Sequence, residues 1–135
     1  SDLRRQRQMC IRDSHKIISA KNSNEKSIEL FGDGTPLRQF MHARDMARVI
    51  CNMIEEDKYL NMNIATDENY TVDKIAKIAL KVCDAEYLEI KYNSDRPNGQ
   101  MRKDIDTSIF EKTFPNLKLS SLSEGIKEIY EKLKK

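Results

Sequence analysis

Two segments that lie far apart in the chain each place cationic side chains beside a tight turn. The first, residues 31–45, contains a Gly-Asp-Gly turn, and the second, residues 96–106, begins with Arg-Pro-Asn-Gly. Guanidinium groups bind phosphate oxygens through bidentate, charge-assisted hydrogen bonds, and turn amides can add further donors. If the fold joins the two turns they could clamp a diphosphate, whereas separated turns would leave the same cations as solvated surface groups. The cations concerned are Arg38, Arg96, Arg102 and Lys103.

Short strands and helices alternate along the chain from about residue 15, which predicts an α/β fold with about four helices. So few and short strands cannot form a complete doubly wound sheet, so the pattern favours a small lobe that packs on a larger domain. The predicted strands cover residues 27–31, 37–42, 63–66 and 87–92. The predicted helices cover residues 46–54, 72–82, a short stretch that ends before residue 115, and 122–133, with 16–20 as the end of an earlier helix.

Residue types at the helix ends and on the helix faces predict how these helices begin and pack. Thr71 is a predicted N-cap, and Ser121 with Glu124 forms a predicted capping box. The first long helix is predicted to bury Met46, Val49, Ile50, Met53 and Ile54. The last helix is predicted to bury Leu122, Ile126, Ile129 and Leu133.

The composition is typical of a globular protein, with 39% hydrophobic and 34% charged residues. No apolar run reaches the roughly 20 residues that cross a bilayer, and the first residues lack the apolar stretch of a signal peptide. Three irregularly spaced cysteines indicate neither a disulfide framework nor a metal motif, so we expect a reducing cytoplasm. Cys51 and Cys83 are predicted to be small buried groups. His42 and Asp45 lack a third ligand, so we interpret them as packing and helix-start residues, and no metal is expected.

Residues 4–14 resemble a translated sequencing adaptor more than natural protein. The run Arg-Arg-Gln-Arg-Gln-Met-Cys-Ile-Arg-Asp-Ser has no helical or strand periodicity, and residues 1–14 carry the whole net charge of +2. The alternative is a natural basic tail. On the adaptor interpretation residues 1–14 are not native, residues 15–135 form one domain, and the gene was cut within a longer reading frame.

The two cationic segments resemble motifs of the extended short-chain dehydrogenase/reductase family, also described as NAD-dependent epimerases and dehydratases. Residues 32–45 match the pattern Gly-x-Gly-x-x-x-Arg-x-Phe-x-His-x-x-Asp, which in the family leads into a helix. Residues 97–106, Pro-Asn-Gly-Gln-Met-Arg-Lys-x-x-Asp, are most similar to the GDP-L-fucose synthase branch. The resemblance covers residues 16–135 and implies the C-terminal, substrate-binding lobe of a Rossmann-type enzyme.

The resemblance also implies roles for individual residues. Arg38 would contact the nucleotide diphosphate, and Arg96 matches a phosphate-binding arginine or lysine of related epimerases. Asn98 stands where the family pattern has Asp, which changes the hydrogen bond offered to the sugar nucleotide. For Lys16 and Phe31 the alternatives are a solvated lysine and a strand residue that faces the core. The implied substrate-binding residues are Lys16, Phe31, Arg38, Arg96, Asn98, Arg102 and Lys103.

In the resembled family an N-terminal Rossmann domain binds NADP and supplies the catalytic Ser, Tyr and Lys, while a Cys and a His epimerise a 4-keto-6-deoxy GDP-sugar. This sequence has no Gly-rich dinucleotide loop, and Tyr130-Glu131-Lys132 in the last helix has the wrong spacing for a catalytic Tyr-x-x-x-Lys pair. We therefore expect no catalytic residue and no bound cofactor here, but a lobe that holds a GDP-sugar for an NADP-binding half in a homodimeric parent. Nucleic-acid and membrane partners are not expected. The alternatives are the lobe of a UDP- or dTDP-sugar epimerase or dehydratase, and a non-catalytic α/β interaction module.

Overall fold

The computed structural model describes residues 16–58 and 61–133, which form five helices and four short strands. The predicted α/β fold is confirmed. The fifth helix, α1 (residues 16–22), lies where the sequence predicted the end of an earlier helix at residues 16–20. The adaptor-like residues 1–14 lie outside the described part of the chain, so that interpretation stays a prediction. The other elements are β1 (Ser27–Phe31), β2 (Leu37–Arg38), α2 (Ala43–Glu55), β3 (Tyr70–Thr71), α3 (Val72–Val82), β4 (Glu89–Asn93), α4 (Ser108–Thr113) and α5 (Leu122–Leu133).

Two sheets of two strands each organise the loops of the lobe. β1 and β4 pair in parallel, with Ser27 opposite Glu89 and Phe31 opposite Asn93. β2 and β3 pair antiparallel, with Arg38 opposite Tyr70. Because parallel strands end at the same edge, the loops that leave β1 and β4 start side by side.

Two apolar clusters form the core. At the edge of the first cluster, Lys21 Nζ donates to Cys83 O at 2.5 Å and to Tyr130 Oη at 3.2 Å, so the ammonium group keeps its hydrogen bonds. The first cluster consists of Ile17, Ala20, Ile28, Ala79, Leu80, Cys83, Ala85, Leu88 and Tyr130, which confirms the buried position predicted for Cys83. The second is built on Val49, Phe110 and Phe114, with partly buried Met41, Met53, Met62, Ile64, Leu117 and Leu119 around them.

The predicted helix caps are confirmed. Thr71 Oγ1 accepts a hydrogen bond from Lys74 N at 3.1 Å at the start of α3. Ser121 and Glu124 form the capping box before α5, with Ser121 N donating to Glu124 Oε2 at 2.8 Å and Glu124 N donating to Ser121 Oγ at 3.3 Å. These caps satisfy amides that a helix start would otherwise leave without partners.

Helix α2 buries a narrower face than its sequence predicts. Val49 is fully buried, but Ile50 and Ile54 are 47% and 60% exposed, and Cys51 is exposed as well. The predictions that these three residues face the core are therefore wrong. The reason is that α2 packs on one side only within the described part of the chain, against the cluster around Phe110.

Helix α5 matches its predicted face only in part, because Leu122 and Ile126 are partly buried and Ile126 packs on the first cluster. Ile129 and Leu133 are 46% and 43% exposed, whereas Gly125 and Tyr130 are buried. A Cβ atom on Gly125 would lie 3.2 Å from His42 Cδ2, so the missing side chain lets the imidazole pack against the helix. The close approach at Gly125 agrees with the packing role expected of His42.

Two predicted strands are shortened or absent. The strand predicted to continue from Leu37 ends after two residues, and residues 63–66 join no ladder with described residues. The side-chain amide of Gln39 instead connects these segments to the chain around Ile105. Its Nε2 donates to Thr66 O at 2.9 Å, and its Oε1 accepts from Ile105 N at 3.2 Å. A side chain thus takes the place of backbone pairing at this position, and β4 begins two residues later than predicted.

A buried carboxylate ties α2 to the segment that precedes α5. Asp45 is 0% exposed, and its Oδ2 accepts from Ser120 N at 2.7 Å while its Oδ1 accepts from Arg48 Nη1 at 3.1 Å. Burial raises the pKa of Asp45, but the bonds from Ser120 and the charge of Arg48 outweigh it and hold the pKa below its usual value. Asp45 therefore does more than start a helix, because its main partner lies in another segment.

We predict that Asp45→Asn destabilises the chain at neutral pH by about 1–3 kcal/mol, because an ionised acceptor and its pairing with Arg48 are lost. The folded-state pKa is lowered, so the stabilisation is present above the unfolded value near 4 and disappears as the pH falls through the folded value. Urea unfolding at pH 7 and pH 3 should show a smaller loss on acidification in the variant. Glu25→Gln, at an exposed carboxylate, is the control, and equal losses in wild type and Asp45→Asn would contradict the prediction.

Candidate functional site

The two cationic segments predicted from the sequence lie against each other. We call residues 31–38 the glycine turn and residues 96–103 the basic loop. Asp33 N donates to Asn98 Oδ1 at 2.8 Å, and a Cβ atom on Gly32 would lie only 2.0 Å from that oxygen. Gly32 is buried and has a φ of +81°, so this contact requires glycine for both space and backbone conformation.

Arg38 lies at the same junction. Leu37 N donates to Met101 O at 2.8 Å, which fixes the far end of the glycine turn to the basic loop. The Arg38 side chain is half-buried, and its Nη1 donates to Leu37 O at 2.6 Å. Its Nη2 would be 3.7 Å from a Cβ atom on Gly99. The guanidinium group therefore sits next to the tight turn of the basic loop, as the diphosphate hypothesis requires.

Phe31 joins two further predicted residues. Lys16 Nζ lies 4.8 Å and Arg96 Cζ lies 5.4 Å from the centre of the Phe31 ring, which are cation–π distances. Lys16 Nζ also donates to Glu29 O at 2.7 Å. Phe31 is half-buried at the end of β1. Two cations from distant parts of the chain therefore lie over one partly exposed ring.

The remaining predicted residues belong to the basic loop but have different surroundings. Arg102 is exposed, and its Nε pairs with the carboxylate of Asp104 two residues along. Lys103 is half-buried. The structure thus gathers Lys16 and Arg96 on Phe31, and it places Asn98 and Arg38 along the contact between the two turns. Arg102 instead pairs within its own segment.

One carboxylate belongs to the glycine turn itself. Asp33 Oδ1 accepts from Thr35 Oγ1 at 2.7 Å and from Thr35 N at 2.9 Å. These bonds, together with the contact to Asn98, hold the pKa of Asp33 below its usual value, so the group stays ionised. The charge of Asp33 opposes anion binding close to its carboxylate, so an anion would have to bind on the side of the cations.

Sequence patterns missed the residues that support the glycine turn from behind. Tyr92 Oη donates to Asp73 Oδ1 at 2.7 Å, and Asp73 N donates to Gly34 O at 3.0 Å. Burial, followed by the bond to Asp73, raises the pKa of Tyr92. Asp73 reads as an ordinary acidic residue in a first helical turn, and Tyr92 as one position of an alternating strand. Neither pattern indicates that the two side chains meet.

Two open hollows lie outside the junction of the turns, and neither fits an anion well. One, of about 580 Å³, is lined by Phe110 and Phe114 and by four acidic residues, Asp67, Glu68, Glu111 and Glu124. The other, of about 390 Å³, lies between α3 and β4. Across residues 16–58 and 61–133, no group of three His, Cys, Asp or Glu side chains could hold a metal ion. Helices in the same ranges are all too short or too polar to span a membrane.

Comparison with characterised proteins gives relatives that act on nucleotide sugars. A GDP-L-colitose synthase from Yersinia pseudotuberculosis is 29% identical over 96 residues, covering 70% of this chain and 31% of the relative. A probable GDP-L-fucose synthase 1 from Oryza sativa subsp. japonica is 27% identical over 116 residues, covering 85% of this chain and 35% of the relative. The chain therefore spans about a third of the length of these relatives.

Solved structures show the same fold. A GDP-L-fucose synthetase from Naegleria fowleri bound to NADP superposes with a TM-score of 0.78 at 19% identity, over 88% of this chain and 37% of that one. A GDP-6-OMe-4-keto-L-xylo-heptose reductase from C. jejuni gives 0.69 at 26% identity, over 81% and 34%. The family model for GDP-mannose 4,6 dehydratase matches residues 2–124. This chain belongs to that family, within the extended short-chain dehydrogenases, and is similar to GDP-L-fucose synthases.

Proposed function

We propose that the chain is the substrate lobe of a nucleotide-sugar epimerase/reductase similar to GDP-L-fucose synthase, and that its two turns hold the diphosphate of a GDP-sugar. The observation that carries this proposal is the contact between Asn98 of the basic loop and Asp33 of the glycine turn. That contact holds the segment that contains Arg38 against the segment that contains Arg96, although the two segments are far apart in the sequence.

The chemistry of the junction supports a diphosphate ligand. Arg38 offers a planar guanidinium beside Gly99, where it can bind two oxygens of one phosphate. Lys16 and Arg96 lie over Phe31 and add two positive charges within reach of a half-buried apolar ring. Such a mixed site suits an anion joined to an apolar or planar group, as in a nucleotide sugar.

The contribution of this lobe to the reaction would be positioning. By holding the diphosphate it would orient the sugar toward catalytic groups in another part of a longer enzyme. Gly32 and Gly34 do not fit the glycine-rich loop that binds NADP, because they lead into strand β2 instead of opening a helix. The Naegleria fowleri relative of similar fold binds NADP, and we propose that NADP would bind the parent of this chain outside this lobe. The homodimeric parent expected from the sequence stays a prediction.

A lobe for dTDP-sugars is the second candidate. A dTDP-4-dehydro-6-deoxy-D-allose reductase from a Streptomyces species is 30% identical over 89 residues, which is 66% of this chain and 27% of the relative. The two turns would serve either nucleotide, because both carry a diphosphate. The non-catalytic interaction module loses support, since it would not require the cationic turns to face each other.

One prediction of the proposed function concerns the base of the bound nucleotide. We expect GDP to bind the chain more tightly than UDP or dTDP, because the Pro-Asn-Gly-Gln-Met-Arg-Lys segment is most similar to GDP-L-fucose synthases. Calorimetric titration of the three nucleotides under one salt condition would measure the order, and inorganic pyrophosphate would report the diphosphate contribution alone. Tightest binding of dTDP would select the second candidate, and no binding of any of the four would overturn the proposed role.

The second prediction concerns the guanidinium of Arg38. Because charge-assisted hydrogen bonds contribute about 1.5–3 kcal/mol, Arg38→Ala should weaken GDP binding by about tenfold or more. The GDP affinity of Arg38→Lys should fall between those of wild type and Arg38→Ala, since lysine keeps the charge but lacks the planar guanidinium fork. The matched control is Arg44→Ala, an exposed arginine that pairs with Glu128 of α5. Equal affinities of Arg38→Ala and Arg44→Ala would rule out this role for Arg38.

A further inference from the structure

The ring of Tyr92 closes the back of the glycine turn. Gly34 is buried with a φ of +79°, and a Cβ atom built there would lie 2.7 Å from Tyr92 Cε1. Such a distance is well inside van der Waals contact, so no larger residue could stand at this position without moving the ring. The turn and the aromatic ring are therefore fitted to each other.

The start of α3 holds the same turn through its backbone. Asp73 N donates to Gly34 O and Val72 N donates to Pro36 O, both at 3.0 Å. These amides belong to the first turn of a helix, where amides have no partner within the helix. Pro36 is fully buried, so the middle of the glycine turn is anchored to α3 from one side.

The carboxylate of Asp73 then links the helix to the ring. Its Oδ1 accepts from Tyr92 Oη at 2.7 Å, and its Oδ2 lies 2.8 Å from Lys77 Nζ. Both oxygens are thus engaged, which fixes the rotation of the carboxylate. The bonds from Lys77 and Tyr92 also hold the pKa of Asp73 below its usual value, so the acceptor is ionised at neutral pH.

We propose that Tyr92 and Asp73 are positioning residues for the phosphate-binding junction: their hydrogen bond holds the glycine turn in the conformation that presents Arg38 to the basic loop. This inference rests on the proposed function, because Arg38 needs a fixed position only if it binds a ligand. The position of Arg38 follows from the turn because Arg38 is its last residue and is paired with Tyr70 in the sheet formed with β3.

A purely local role for Asp73 makes different predictions. An acidic residue in a first helical turn stabilises the helix through the dipole, and the spacing to Lys77 allows an i,i+4 ion pair. In that case Asp73→Asn and Asp73→Ala would both lower the melting temperature, and Tyr92→Phe would leave ligand affinity unchanged. Under the positioning role Asp73→Asn, which keeps an acceptor oxygen for Tyr92 Oη, should bind ligand nearly as well as wild type.

The test is a set of GDP titrations on the chain. Tyr92→Phe and Asp73→Ala should each weaken GDP binding by about tenfold, the effect of one hydrogen bond to a charged group. Tyr87→Phe is the matched control, because it removes the same hydroxyl from a residue that is 58% exposed just before β4. In a double-mutant cycle, Tyr92→Phe should cost much less affinity when Arg38 is already Ala, since there is no guanidinium left to position.

Additive effects of Tyr92→Phe and Arg38→Ala would overturn the positioning role, and so would unchanged affinity in Tyr92→Phe. Amide resonances of the ligand-free chain provide a readout that does not depend on GDP. Tyr92→Phe should shift the signals of Asp33, Gly34 and Arg38, and Tyr87→Phe should leave them in place. If wild type bound no GDP, the proposed function would fail by that result alone. Unmoved turn resonances in Tyr92→Phe would then reject the positioning of the turn separately.

Discussion

The parallel pairing of β1 with β4 is the constraint on which the site depends. Parallel strands end at one edge, so the glycine turn after β1 and the basic loop after β4 begin as neighbours. The hydrogen bond from Gly32 N to Asn93 O at 3.0 Å continues the ladder one step into the turn. From there Asn98 closes onto the turn, and the absence of a side chain at Gly32 makes that closure possible.

Polar tertiary bonds supplement a small core in keeping this arrangement in place. Each apolar cluster is modest, and single polar side chains connect elements that the clusters leave apart. Asp45 bonds to Ser120, Gln39 bonds to Thr66 and Ile105, and Lys21 reaches Tyr130. Such bonds are directional, and a buried polar group that loses its partner lowers the free energy of unfolding. They therefore fix segment positions that apolar contact alone would leave variable.

Features set by near neighbours in sequence were predicted well. The caps at Thr71 and Ser121 depend on residues three positions apart, and β1 is bounded by its own glycine turn. The predicted buried faces of α2 and α5 were wrong in part, because burial depends on what packs against a helix. Cys51, Ile50 and Ile54 lie on the side of α2 that no described residue covers. In α5 the buried residues are Gly125, against which His42 packs, and Tyr130. Residues 63–66 have a strand-like composition, yet the segment is bonded at Thr66 O by the side-chain amide of Gln39 instead of by a neighbouring strand.

The sequence by itself determined the fold class, the helix caps at Thr71 and Ser121 and the two motifs that carry the cations, because these follow from local residue types and spacing. Tertiary structure alone decided that Lys16 and Arg96 share one aromatic ring and that Arg38 lies beside Gly99. It also decided that Tyr92 and Asp73 support the glycine turn from behind. The physical reason is that such contacts join residues far apart in the chain, and their geometry depends on strand pairing and on the space left by buried glycines.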